Sequence, residues 1–214
     1  MHRKAFYEPG NAVGGSSLLP GGKSSIPRKK NQFLWKYVAG FSYYRTMKSM
    51  ESITWHLESL NNGCALVATS ERGIAALYLG NDETRLLEDL RQDFPHSSLA
   101  PEKNFQPVLN SDGRPAMPVP PLDLRGTEFQ RKVWHALQSI PEGQTRTYGE
   151  IAASTGNPGA ARAVGQACGA NRLAVLVPCH RALPANGGMG GFRWGAHWKE
   201  WLLQMEAVPR RKTA

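Results

Sequence analysis

Cysteine is scarce in this sequence. Three occur among 214 residues, Cys64, Cys168 and Cys179, with none in the first 45 positions and no Cys-x-x-Cys pair. That excludes a disulfide framework and fits a reducing interior. Long apolar runs are missing as well: none approaches the roughly 18 residues that a membrane span requires. The basic N-terminus has no continuous apolar stretch behind it, so a secretory signal is not expected. With 41% hydrophobic residues the chain can still bury a sizeable core, as one large or two small domains.

Acidic residues are short at both ends. Residues 1–50 hold nine Lys/Arg against one acid, residues 51–124 five against eleven, and residues 125–214 twelve against five, within a net charge of +9. An acidic middle before a basic C-terminal segment points to one face that meets a polyanion, although solvated surface charge explains the pattern equally well.

Periodic structure is sparse before residue 45. The stretch "EPGNAVGGSSLLPGGKSSIPRKKN" is rich in Gly, Ser and Pro and reads as a basic, poorly structured tail. Within it "PRKK" is a weak candidate for polyanion contact, and "FLWKYVAGFSYY" (33–44) is aromatic enough to dock. From about residue 51, "SITWHLES" and "GCALVATSERGIAALYLG" predict strands, the second stretch forming a hairpin that turns at Glu71–Gly73. A helix is predicted over 82–94, with Leu86, Leu87, Leu90 and Phe94 on one face and Pro95 ending it. Residues 100–121 are Pro-rich and irregular, with room for one short helix.

Beyond Asp123 the pattern turns helical. Thr127 is a candidate cap for a helix burying Phe129, Val133, Trp134 and Leu137. Thr147 caps a second short helix that Gly156 stops, and "NPG" turns into "AARAVGQACGAN". Helix, glycine turn and helix suggest a helix-turn-helix, though two helices packed on a core give the same signal. The second helix is unusual. Its surface is mostly Ala and Gly, including Ala161, Ala163 and Gly165, with Arg162 as its one long cationic side chain near the start. A base-reading helix carries several long polar residues; this one suits close approach and a single probe.

"LAVLV" (173–177) predicts a short buried strand that Pro178 stops, leaving Cys179 at a strand end. A thiol near pKa 8.5 is only a few per cent ionised at neutral pH, so nucleophilic use needs a base or a positive field nearby. His180 and Arg181 follow directly. Neighbours in extended chain point to opposite sides, so His180 would reach the sulfur through a water. A carboxylate should fix the imidazole tautomer. Glu128, Glu142, Glu150, Glu200 and Glu206 are available, and Glu200, in the amphipathic final helix "HWKEWLLQME", is the one expected there. Core and loop residues would also explain a lone Cys–His pair.

Together, "RGTEFQRKVWHAL", "IPEGQTRTYGEIAA", "ARAVGQACGANRLAVLVPCHR", "GGFRWG" and "KEWLL" resemble, in order and spacing, the O6-alkylguanine-DNA alkyltransferases, also called methylated-DNA–protein-cysteine S-methyltransferases. The likeness runs from about residue 51 to 206 and is dense from 125; "GFRWG" is nearest the C-terminal half of bacterial adaptive-response proteins. It implies an α+β fold: a small ribonuclease-H-like α/β subdomain with its connector over 46–122, then a mainly helical subdomain with a helix-turn-helix over 123–208, and a tail at 209–214.

The resemblance also implies roles. Cys179 would accept the alkyl group once per molecule. His180 would take its proton through water, with Glu200 orienting the ring and Asn171 joining the recognition helix to the active-site turn. Arg162 would enter the duplex in place of the extruded guanine, Tyr148 would press a phosphate and protonate the leaving base, and Ala161, Ala163, Gly165 and Arg181 would touch DNA. Gly190, Gly191, Phe192, Arg193, Val177 and Pro178 would form the base pocket. The partner would be double-stranded DNA carrying O6-alkylguanine, bound through the minor groove by a monomer. No metal, cofactor or membrane is implied, and the setting would be cytoplasmic with the nucleoid, or nuclear in a eukaryote. Ala182 stands where the family has valine. The four-cysteine zinc module of the adaptive-response proteins has no counterpart in residues 1–45. A lesion-binding or regulatory DNA protein without chemistry, and a cysteine hydrolase, are the alternatives; Cys179 argues against the former, and the latter needs an oxyanion hole and turnover.

Overall fold

The computed structural model describes residues 50–207. The expectations for residues 1–45 and 209–214, with "PRKK" and the aromatic stretch 33–44, lie outside that range.

Strands β1 (Glu51–Leu60), β2 (Gly63–Ser70) and β3 (Gly73–Gly80) form an antiparallel meander, pairing Leu60 with Gly63 and Ser70 with Gly73 at its two turns. The hairpin turns at Glu71–Arg72, as the sequence predicted. Strands β2 and β3 read as nearly unbroken apolar runs because both faces are covered. On one side Ala65, Val67, Leu77 and Leu79 join the larger core. On the other, Leu66, Ala68, Ala76 and Tyr78 pack with Leu86, Leu90 and Phe94 of helix α1 (Glu83–Asp93) and its C-cap. Asp82 caps α1 by accepting from Thr84 N at 2.9 Å and Arg85 N at 3.3 Å.

A fourth strand, β4 (Ser97–Pro101), returns parallel to β1 and completes the order β3-β2-β1-β4. Its "SSLAP" is short and half polar, so no alternation announced it. The segment after it holds no helix, which corrects that expectation; its backbone is held instead by Glu58, whose carboxylate accepts from Val108 N at 2.6 Å and Leu109 N at 2.9 Å.

The remaining edge, β3, is not bare. Ile74 donates to Pro121 O and accepts from Asp123 N, each at 2.8 Å, and Leu77 donates to Arg172 O at 2.7 Å and accepts from Ala174 N at 2.9 Å. Four backbone groups that would otherwise face water or another chain are thereby occupied.

Past the sheet the chain is helical. Helix α2 (Glu128–Gln138) starts at a capping box in which Thr127 and Gln130 satisfy each other's backbone donors; such a cap contributes about 1 kcal/mol. It buries Val133, Trp134 and Leu137, with Phe129 partly buried, and Trp134 Nε1 donates to Ala167 O at 2.9 Å. A two-residue pair, β5 (Arg146–Thr147) and β6 (Ala182–Leu183), precedes helix α3 (Tyr148–Ser154), which opens on a second capping box, Thr147 with Glu150. Gly156 at φ 79° and Gly159 at φ 100° turn the chain into α4 (Ala161–Gly169) in backbone that favours glycine. The last helix is α5 (Ala196–Met205). Among the described residues, no helix is long and apolar enough to cross a membrane.

Residues 173–177 are not a strand, which corrects a second expectation. Leu173 makes one bridge to Leu77, and the chain then folds on itself: Leu176 N bonds Ala174 O at 2.6 Å and Val177 N bonds Leu173 O at 2.9 Å. Val175, centre of the tighter turn, takes φ 66°, which a β-branched side chain adopts only under strain. An apolar run of five signals burial without signalling extension.

Candidate active site

Cys179 opens a single 3-10 turn, Cys179–Arg181, and not a strand end. The turn is entered tightly, with Cys179 N bonded to Val177 O at 2.7 Å and Arg181 N to Pro178 O at 3.0 Å. Cys179 is 3% exposed, and its sulfur accepts from Asn171 Nδ2 at 3.2 Å. The same amide nitrogen donates to Val177 O at 2.9 Å, while Asn171 Oδ1 accepts from Leu173 N at 2.9 Å. One buried amide therefore knits the end of the small-residue helix to the strained turn and to the thiol.

Cys179 lies in the wall of a cavity of about 380 Å³, with Tyr148, Gly165, Cys168, Gly169, Gly191, Phe192 and Arg193 around it. Burial pushes its pKa up to about 11, an effect partly offset by the Asn171 hydrogen bond and by the nearby Lys199 charge. The resting group is thus a neutral thiol. Burial also pushes Cys168 and Tyr148 up, each to about 12, so Tyr148 keeps its proton at neutral pH.

His180 is fully buried. Its Nε2 lies 2.7 Å from Glu206 Oε1, so the neutral ring carries its proton there and Nδ1, which has no partner among the described residues, is the basic nitrogen. Burial holds the His180 pKa below its ordinary value, against the pull of Glu206. Burial would raise Glu206, but hydrogen bonds from His180 and Arg181 bring it down to about 2. A carboxylate that stays charged beside a neutral imidazole is ready to balance an imidazolium.

That carboxylate is Glu206, not the expected Glu200. In the last helix, positions 199, 202, 203 and 206 follow the i, i+3, i+4, i+7 spacing of one face, and Lys199, Leu202 and Leu203 are buried, as is Glu206 at the helix end. Glu200 is turned about 100° from Lys199 around the helix and accepts from Gln204 Nε2 at 3.3 Å. Arg181, expected on DNA, also points inward: it donates to Glu206 at 2.8–3.2 Å and to Ile140 O at 2.5 Å. Its guanidinium satisfies a buried acid and is spent there. Val177 and Pro178 are buried behind the thiol and are not in the cavity wall.

The other expected residues fall near one another. Gly191, Phe192 and Arg193 line the cavity, and Gly190, at φ 68°, leaves no room for a side chain, because a Cβ there would lie 3.1 Å from the Tyr148 hydroxyl. Phe192 sets its edge against His180, with ring centroids 6.4 Å apart. Arg162 is exposed at the second position of α4, with Ala161 and Ala163 half-buried beside it. Among the described residues nothing stands within 4 Å of a Cβ built at Gly165 or Gly169, so this helix face is open to them.

Sequence reasoning missed Lys199. It is wholly buried in α5, and its ammonium donates to Ala182 O at 2.7 Å and to Gly191 O at 3.4 Å. Burial lowers its pKa, against the thiols of Cys179 and Cys168. A lysine on the apolar face of a helix was the available signal, because an unpaired buried charge costs several kcal/mol. Among the described residues no three His, Cys, Asp or Glu side chains gather as metal ligands would. The arrangement is a buried thiol and a tyrosine in one cavity wall, with a buried His180–Glu206 pair and buried Lys199 outside that wall.

Comparison with known proteins bears on this geometry. Residues 128–208 match the family described as 6-O-methylguanine DNA methyltransferase, DNA binding domain. The chain is 42% identical over 162 residues to the bifunctional transcriptional activator/DNA repair enzyme Ada of Escherichia coli, covering 73% of this chain and 46% of that protein. It is 59% identical over 85 residues to the methylated-DNA–protein-cysteine methyltransferase of Mycolicibacterium paratuberculosis, covering 40% and 52% respectively. It thus spans about half the length of the curated relatives it matches. Among solved structures, that of Mycobacterium tuberculosis OGT in complex with DNA superposes with a TM-score of 0.54 at 32% identity, over 72% of this chain and 92% of that one. The chain belongs to the 6-O-methylguanine DNA methyltransferase family.

Proposed function

We propose that this protein repairs DNA by moving an alkyl group from O6 of guanine to the sulfur of Cys179, once per molecule. The observation that carries the reading is a buried thiol in the wall of a cavity of about 380 Å³, tied to Asn171 and adjoining a His180–Glu206 pair. A similar fold solved with DNA supports it.

The alkyl carbon cannot be reached inside the base stack, so the guanine must be extruded at a cost of a few kcal/mol. The open Ala/Gly face of α4 suits close approach to a minor groove, and exposed Arg162 is the side chain that fills the gap left in the duplex. With the base seated, the thiol proton passes through a water to His180 Nδ1, and Glu206 balances the imidazolium. Lys199 and the Asn171 amide stabilise the forming thiolate. Sulfur then attacks the alkyl carbon, the C–O bond breaks, and guanine leaves as an anion that takes a proton from Tyr148. The thioether product has no ready leaving group, so the thiol is not restored. A single protein molecule bound to the duplex suffices, and the protein would work wherever that DNA is kept, nucleoid or nucleus.

The test is intact-mass analysis after incubation with duplex carrying O6-methylguanine. One methyl adduct, located on Cys179 and absent in Cys179→Ser, is expected. Tight binding with no adduct would leave a lesion binder, and continued product release would leave a hydrolase; either result defeats the reading.

A further inference from the structure

Asp93 sits at the last position of α1, where a carboxylate meets the unfavourable end of the helix dipole. Its surroundings offset that cost. The Tyr78 hydroxyl donates to it, Arg193 donates to Oδ2 at 2.6 Å, and Arg172 Nε lies 3.2 Å from the same oxygen. Arg193 also lies over the Tyr78 ring, 5.5 Å from its centroid, and Arg172 over Phe94, at 5.4 Å.

The two arginines differ in place: Arg193 lines the thiol cavity, and Arg172 lies outside its wall, next to the residue that holds the thiol. Arg193 is in the glycine-rich wall with Gly191 and Phe192. Arg172 follows Asn171, whose amide holds the Cys179 sulfur, and its carbonyl is fastened to Leu77 of the sheet at 2.7 Å. One carboxylate from the sheet side thus hydrogen-bonds an arginine of the cavity wall and forms an ion pair with an arginine beside Asn171, with side-chain exposures of 16% for Asp93, 31% for Arg172 and 27% for Arg193.

We propose that Asp93 is a positioning residue for alkyl transfer, acting through Arg193 and Arg172 to hold the cavity wall in register with the Asn171 support of the thiol. This rests on the transfer reading above. It gives the N-terminal sheet a part in the chemical step, although no strand residue lines the cavity.

The experiment is single-turnover transfer from duplex carrying one O6-methylguanine, with protein in excess, alongside duplex affinity. Wild type, Asp93→Asn, Arg193→Gln and the double variant are compared. Asp93→Asn should lower the maximal transfer rate about tenfold, the scale of a small misplacement of reacting groups, while duplex affinity stays within about twofold. Arg193→Gln should lose a similar amount, and the double variant about as much as the worse single, because the two act as one contact.

Transfer by Asp93→Asn at the wild-type rate, losses that multiply in the double variant, or a fall in affinity matching the fall in rate would overturn the role. Should Asp93→Asn not fold, Arg193→Lys, which keeps the ion pair, should recover at least half the rate lost in Arg193→Gln; equal rates would overturn it. A wild type that gains no adduct sinks the transfer reading and this role with it. An active wild type with an indifferent Asp93→Asn sinks this role alone.

Discussion

Among the described residues two buried His–Glu pairs occur, and one of them adjoins Cys179 in the chain. In the sheet, His56 Nε2 lies 2.9 Å from Glu58 Oε1; beside the cavity, His180 Nε2 lies 2.7 Å from Glu206 Oε1. The distances are nearly the same. Glu58 spends its oxygens on the amides of Val108 and Leu109, and His56 stacks on Phe105 with centroids 3.8 Å apart, so that pair fastens a connector to a strand. Glu206 is held charged by Arg181, and its histidine, the chain neighbour of the buried thiol, has no partner for Nδ1 among the described residues. What separates a fastener from a site is the second nitrogen and the cavity, not the pair.

Substituting the two acids puts this contrast under the greatest strain. Glu206→Gln should slow transfer about a hundredfold, the scale of losing a positioned base, while Glu58→Gln leaves transfer within about threefold. Glu58→Gln should instead cost about 2 kcal/mol of stability, because one of the two buried amides loses its acceptor and meets a donor. Single-turnover kinetics and urea midpoints read both, and equal slowing would erase the distinction. Arg162→Ala comes next. It should slow repair of duplex by roughly tenfold and attack on free alkylguanine less than twofold, since only the duplex leaves a gap to fill.

Acid titration is gentler. The Glu206 pKa falls from an ordinary 4.5 to about 2 on folding, so the stability it contributes is complete above about pH 4.5 and is lost as pH falls from 4.5 toward 2. Urea midpoints of wild type should drop through that window by more than those of Glu206→Gln; parallel curves would show that the carboxylate is not held as the geometry requires. The smallest effect belongs to Val175→Gly. Release from φ 66° and loss of one buried side chain are each about 1–3 kcal/mol and opposite in sign, so the thermal midpoint should move little. A large fall would mean that the turn carries no strain.

The sequence disclosed those parts whose signals are local. Thr127 with Gln130 and Thr147 with Glu150 are spaced as capping boxes, and both begin helices there. The Glu71–Arg72 turn sits between two apolar runs and needs no distant partner. Cys179, His180 and Asn171 were found because scarcity and order marked them. The errors arose where partners lie far apart in the chain. Arg181 could be assigned only by seeing that Glu206 and the Ile140 carbonyl converge on it. Choosing Glu200 over Glu206 ignored a helical face that could have been counted from Lys199. The run 173–177 is buried as predicted, but its shape is dictated by Leu77 and Asn171, which no pattern within the run reveals.

The occupied rim of β3 limits how far this protein can be trimmed. Because Leu77 both gives and takes a peptide hydrogen bond with the stretch that follows Asn171, a fragment reduced to the family-matched residues 128–208 would keep every cavity side chain but lose the ledge on which that stretch rests. The severed sheet would in turn show a raw selvage to its neighbours and tend to clump. The proposed transfer and colloidal good behaviour are therefore stitched along one seam, and a miniaturised version would have to supply a substitute hem for both.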